Sequence, residues 1–195
     1  MATKQKMNLP NRLTLMRVLL IPIIVIIPLI KSLNTEFFWG VNYSDFIVLV
    51  IFCIASFTDF LDGHIARKYN LVTDFGKFMD PLADKLLVFA AFIILIEMGR
   101  IDGWIVTVIV AREFMVTGIR VLAASNNVVI AASKLGKAKT ISQMVTIIIL
   151  LLNNYPFEFI NLPVGTIIMY IAALLTVVSG VDYLIKNKDV ILKSK

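Results

Sequence analysis

Apolar residues run along this chain in six long blocks separated by short polar breaks, at roughly 13–31, 45–66, 80–98, 103–123, 139–154 and 162–185. A helix of about 20 residues crosses the hydrocarbon core of a bilayer, and each block comes close to that length. Pro10 and Asn11 precede the first block, Ser44 or Asp45 can cap the second, and Asp80-Pro81 reads as the start of the third, with proline in the first turn. Gly99, Asn153-Asn154 and Pro163 mark later turns. The pattern predicts an all-α fold, a polytopic membrane protein of six transmembrane helices forming a single domain over residues 1–195. No internal repeat interrupts it.

Composition agrees with the pattern. Of the 195 residues, 59% are hydrophobic and 16% charged, with a mean hydropathy of +0.89. Too few charges remain to cover a soluble surface, so lipid must cover the rest. At about 20 residues per span, six spans use about 120 residues and leave no room for a separate soluble domain. The net charge of +6 does not indicate nucleic acid, because the bases lie between the apolar blocks and form no stripe. Placing the amino terminus inside leaves only Lys31 and Arg100, of 19 Lys and Arg, in outer loops. Phe37, Phe38, Trp39, Tyr43, Trp104, Tyr155 and Phe157 fall near those outer turns, where aromatic rings anchor at the interface. Both termini are therefore expected on the cytoplasmic side of the cell membrane. The first block follows Lys4 and Lys6 as in a signal peptide. It is expected to stay attached, since Ser32–Thr35 offers no small-x-small cleavage site and Pro22 and Pro28 interrupt the run. Cys53 has no partner for an intramolecular disulfide and reads as packing.

Packing does not explain the acids. Asp59 and Asp62 are three residues apart at the end of the second block, and Asp80 and Asp84 four apart at the start of the third; each pair shares a helix face. If the second helix runs inward and the third outward, four carboxylates converge at the cytoplasmic edge of the bilayer. An aspartate within a membrane costs about 2.5–3.5 kcal/mol at the centre, less near the interface, and mutual repulsion adds to this. One compensation is pairing with Arg67, Lys68, Lys77 and Lys85. Intramembrane acids are functional by default, however, and hard oxygen ligands without clustered His or Cys suit Mg²⁺ or Mn²⁺. Two such ions about 3.5–4 Å apart are a common clamp on a phosphoryl group under attack. Gly63, Ala66 and Gly76 leave space for a helix or a ligand among the acids. Arg67 could hold a phosphate by a forked contact or snorkel to the interface.

The string Asp59-x-x-Asp62-Gly63-x-x-Ala66-Arg67, followed by Gly76-x-x-x-Asp80-x-x-x-Asp84, resembles the signature of the CDP-alcohol phosphotransferase family at every defining position. The resemblance implies a membrane enzyme that displaces CMP from a CDP-linked lipid or alcohol with two divalent metal ions and an acceptor hydroxyl. It makes Asp59, Asp62, Asp80 and Asp84 metal ligands, with Asp84 also the base that takes the acceptor's proton. It places Gly63, Ala66, Arg67 and Gly76 at the CDP site. His64 occupies a variable position and reads as a bystander. Family members are often homodimers, which implies the same here.

The acceptor is addressed by a second group. Arg112 and Arg120 lie in the inner half of the fourth block, and Lys137 and Lys139 precede the fifth. Taken singly, each could be a topological residue facing lipid headgroups. Together they suit an anionic, phosphate-bearing acceptor, and Glu113 is placed to orient Arg120. Asn8-Leu9-Pro10-Asn11-x-Leu13-Thr14-x-x-Arg17, Ala111–Phe114 and Gly136-Lys137-x-Lys139-Thr140-x-x-Gln143 resemble the branch of the family that makes phosphatidylglycerophosphate. That branch implies CDP-diacylglycerol and glycerol 3-phosphate as substrates. Serine, inositol phosphate or phosphatidylglycerol as acceptor is the alternative on the same machinery. A small metal or proton transporter would also bury acids, but it would hold them at mid-membrane between repeated halves.

Overall fold

A computed structural model describes residues 8–69, 71, 73–125, 128, 130 and 133–188; the side chains of Arg67 and Lys77 lie outside this description. Six long helices follow the six apolar blocks: α1 (Leu9–Ile26), α2 (Tyr43–Lys68), α3 (Asp74–Glu97), α4 (Gly103–Ser125), α5 (Lys134–Leu151) and α6 (Val164–Lys186). Between α1 and α2 the chain makes two short 3-10 turns and a two-stranded antiparallel hairpin, β1 (Glu36–Phe38) and β2 (Val41–Asn42). The hairpin turns on Trp39 and Gly40, both with positive φ, as a two-residue turn matched to strand twist requires. The rings of Phe37, Phe38, Trp39, Tyr43 and Phe46 pack edge-on or tilted around it.

Helix starts differ from the sequence expectation wherever cap chemistry lies outside the apolar block. Pro10 and Asn11 do not precede α1 but sit in its first turn: the Asn8 side chain accepts from the Asn11 N–H, and proline fits where no intrahelical donor is needed. Asn42, not Ser44 or Asp45, holds the cap position of α2. Thr73 Oγ1 accepts from the Gly76 N–H, so α3 begins at Asp74 and Pro81 lies inside it, not in its first turn. Ser133 caps α5 in the same manner, which brings Lys137 and Lys139 onto the helix they were expected to precede. Gly99, Asn153 and Asn154 adopt positive φ in the turns where they were expected.

The chain is an integral membrane protein. By length and composition, three described helical segments can cross a membrane: Leu9–Leu29, Tyr43–Ala66 and Val164–Lys186. Of the other three long helices, α3 carries Asp80, Asp84 and Lys85, α4 carries Arg112, Glu113 and Arg120, and α5 carries Lys134, Lys137 and Lys139.

The fold divides into two compact units, residues 1–94 and 95–195. In the first, α1 packs on α2, and Ile24, Val41, Val48, Phe52, Ala83, Leu87 and Phe92 are buried. In the second, α6 packs on both α5 and α4. Gly165 sets the approach of α6 to α5, since a Cβ there would meet Leu150 Cδ2 at 2.6 Å and Ile149 Cγ2 at 3.2 Å. Gly103 opens α4 with nothing within 4 Å of its would-be Cβ. Gly165→Val is expected to lower stability by about 1–3 kcal/mol through overpacking, and Gly103→Ala to stay within about 0.5 kcal/mol. Thermal unfolding of the two variants in detergent checks the contrast.

Candidate active site

The first unit builds its site on a stripe of polar residues at every third position of the chain start: Asn8, Asn11, Thr14 and Arg17. A step of three residues falls about 60° short of a full helical turn, so the stripe winds around α1 and does not stay on one face. Successive members therefore meet different neighbours. Asn8 Nδ2 donates to the Leu71 carbonyl (2.8 Å), and Asn11 Oδ1 accepts from the Thr73 hydroxyl (2.8 Å). The Thr14 hydroxyl lies 2.6 Å from Asp80 Oδ1 and 3.1 Å from the Pro10 carbonyl. Its single proton goes to the nearer, charged oxygen. Arg17 reaches α2, where Nη1 donates to Asp59 Oδ1 and Nη2 to Asp62 Oδ2, both at 2.6 Å, while Nε donates to the Ala55 carbonyl at 3.2 Å.

Three helices thus bring the acids into one neighbourhood. Asp59 and Asp62 share a face of α2 through Arg17, and Thr14 on the same helix as Arg17 donates to Asp80 of α3. Asp84 lies one turn beyond Asp80 on α3. Asp59 keeps a side chain 35% exposed and Asp62 only 3%, so Asp59 is the more accessible of the pair. Gly76 permits the close approach of α3, since a Cβ would lie 3.3 Å from Asn11 Oδ1 and Thr73 Oγ1 and 3.4 Å from Asp80 Oδ2. Gly63 and Ala66 are half-buried on α2 and His64 is exposed. Arg67 lies on α2, but its side chain is outside the described residues.

The charge balance of the acids differs from the sequence expectation. Among the described residues the partner of Asp59 and Asp62 is Arg17, which the sequence offered as a topological charge and as the last residue of the branch-resembling string, with no part in the site. Lys68 instead sits 5.6 Å over the Tyr69 ring. Asn11 and Thr14 were likewise assigned no role. Their signal was present as the three-residue spacing Asn8, Asn11, Thr14, Arg17, which apolar periodicity does not register. Among the described residues, no group of three or more Asp, Glu, His or Cys stands close enough together to hold a metal ion. The available donors, carboxylates beside the Thr14 hydroxyl and the Asn11 amide, are all hard oxygens and fit a divalent ion such as Mg²⁺ or Mn²⁺ in kind.

The basic group of the second unit is more internally paired than expected. Glu113 does not orient Arg120; its Oε1 accepts from both Arg112 Nη1 (2.9 Å) and the buried Lys139 Nζ. Arg112 Nη2 donates to Ser179 Oγ (3.0 Å), and among the described residues its buried Nε has no hydrogen-bond partner. Arg120 is exposed, with Nε 3.3 Å from the Tyr183 hydroxyl and its guanidinium 5.7 Å from that ring's centre. Lys137 is exposed.

A family model described as CDP-alcohol phosphatidyltransferase matches residues 7–178. The chain is similar to proteins named CDP-diacylglycerol--glycerol-3-phosphate 3-phosphatidyltransferase from three bacteria. It is 46% identical to that of Bacillus subtilis (strain 168), over 96% of this chain and 98% of the relative. It is 42% identical to that of Rickettsia felis, over 90% and 93%. It is 38% identical to that of Shigella flexneri serotype 5b, over 91% and 93%.

Thr14→Val removes the only hydroxyl described on Asp80 and leaves the shape of the side chain nearly unchanged. A hydrogen bond to a charged group contributes about 1.5–3 kcal/mol, and a loss of that order in thermal unfolding is expected, with Thr14→Ser restoring most of it.

Proposed function

The chain belongs to the CDP-alcohol phosphatidyltransferase family, and from that premise we propose that it transfers the phosphatidyl group of CDP-diacylglycerol to sn-glycerol 3-phosphate, giving phosphatidylglycerophosphate and CMP. The observation that carries this reading is the near end-to-end similarity to three relatives bearing that activity in their names. The acids this chemistry needs are present at Asp59, Asp62, Asp80 and Asp84.

The reaction forms a bond between the primary hydroxyl oxygen of the acceptor and the phosphorus that carries diacylglycerol. It breaks the bond from that phosphorus to the oxygen bridging it to CMP, which leaves with the electron pair. Asp84, which follows Asp80 by one turn on α3, takes the hydroxyl proton. Asp59, Asp62, Asp80 and Asp84 would hold two divalent ions, Mg²⁺ or Mn²⁺, which supply positive charge to the diphosphate oxygens when bound. Gly63, Ala66 and Gly76 keep the nucleotide site clear of side chains, and Arg67 supplies charge to the diphosphate. Arg120 and Lys137, whose side chains reach the surface, bind the acceptor phosphate together with Arg112. Lys139, which donates to Glu113, adds positive charge to the same group.

The family model, over residues 7–178, runs through both units. All six long helices cross the bacterial cell membrane, both termini are cytoplasmic and the site faces the cytoplasm, as the Lys and Arg distribution favours. The protein acts as a homodimer, in keeping with its family.

The test is CMP release from CDP-diacylglycerol by purified protein with Mg²⁺ or Mn²⁺, with glycerol 3-phosphate, serine and inositol phosphate offered in parallel. Release with glycerol 3-phosphate alone is expected. Release with another acceptor alone would reassign Arg112, Arg120 and Lys137, and no metal-dependent release would overturn the reading. In the same assay Asp84→Asn is expected to lower turnover by at least about 10²-fold while retaining CDP-diacylglycerol binding. Arg120→Ala should raise the apparent KM for glycerol 3-phosphate about tenfold with a smaller change in kcat.

A further inference from the structure

Arg17 belongs to none of the groups assigned to metal, nucleotide or acceptor. Its side chain has no solvent exposure, so it is not placed to meet a diffusing substrate. Each of its three nitrogens is committed, Nε to the Ala55 carbonyl and the other two to Asp59 and Asp62. Ala55 lies one turn before Asp59 on α2, so the Nε bond fixes the plane of the guanidinium to the backbone of the helix that carries both acids. The fork cannot swing to another anion without breaking that bond.

We propose that Arg17 is a positioning residue: a resident cation that holds the Asp59 and Asp62 carboxylates in place and thereby sets the affinity of the acid site for a divalent cation. This rests on the reading of Asp59 and Asp62 as metal-holding residues. Two carboxylates on one helix face repel and, without a counter-charge, turn apart or take up protons. The guanidinium contacts Oδ1 of Asp59 and Oδ2 of Asp62, one oxygen from each. Its single positive charge offsets one of the two negative charges, so the pair still attracts a cation. A planar fork spans two carboxylates at fixed angles, which the point charge of a lysine does not reproduce. Thr14 does for Asp80 with a neutral donor what Arg17 does for the α2 pair with a charged one.

Partners that orient metal ligands change metal affinity by about 10–100-fold when removed. The experiment titrates Mn²⁺ into the full-length protein in detergent micelles, reading free ion by electron paramagnetic resonance. Arg17→Lys keeps the charge and loses the fork; its Mn²⁺ affinity is expected to fall at least about tenfold. Affinity equal to the wild type would overturn the proposal. Mn²⁺ binding by the wild type that Asp62→Asn leaves unchanged would instead contradict the metal reading of the acids, a separate failure. A second measurement does not depend on metal. Arg17→Met strands the buried Asp62 carboxylate beside that of Asp59, so Arg17→Met with Asp62→Asn is expected to unfold at a higher temperature than Arg17→Met alone, or to be recovered folded where the single variant is not. An equal or lower unfolding temperature would overturn the proposal.

Discussion

A guanidinium enclosed by protein is tolerated only where anions meet it, and two carboxylates on one helix face are tolerated only where a cation does; Arg17, Asp59 and Asp62 satisfy both conditions at once. Removing one partner from a buried ion pair costs about 3–5 kcal/mol, because a charge is left uncompensated. The triad therefore constrains its surroundings. It fixes how far α1 can slide along α2, and the polar stripe on α1 carries that register on to Asp80, Thr73 and Leu71.

This arrangement reconciles two demands that conflict in a membrane protein. Lipid requires apolar helices, whereas phosphoryl transfer requires concentrated charge. The segments Leu9–Leu29, Tyr43–Ala66 and Val164–Lys186 meet the first demand. The acids of α2 lie at its carboxyl-terminal end and those of α3 near its start, so the charge gathers at the ends of the apolar lengths. Arg17, nearer the middle of α1, is the exception, and it is the residue with the most complete set of partners. The second unit follows the same rule, for the buried Lys139 meets Glu113, and Glu113 in turn holds Arg112.

The number of long helices was legible from apolar blocks alone, and so were the turns at Gly99, Asn153 and Asn154. The starts of α1, α3 and α5 were not, because Asn8, Thr73 and Ser133 act through single hydrogen bonds in polar stretches that hydropathy does not weigh. The hairpin at Glu36–Asn42 is too short for alternation to register. Asp59, Asp62, Asp80 and Asp84 stood out because an acid beside lipid demands an explanation. Arg17 did not, because a base early in an apolar block already has one in membrane topology. Glu113 was paired with the wrong arginine for a related reason: seven-residue spacing puts Arg120 on nearly its face, but neither the adjacent Arg112 nor Lys139 on another helix can be ranked against Arg120 by spacing along one helix.

The central claim is that the stripe on α1 holds the acid-bearing ends of α2 and α3. Hydrogen–deuterium exchange of Asn11→Ala tests it most directly, since that substitution removes the acceptor of the Thr73 hydroxyl and touches no acid. The account expects faster exchange in the first turns of α3, from Asp74 to Asp80, with the Arg17-bound turn of α2 still protected. Unchanged protection at the start of α3 would contradict it.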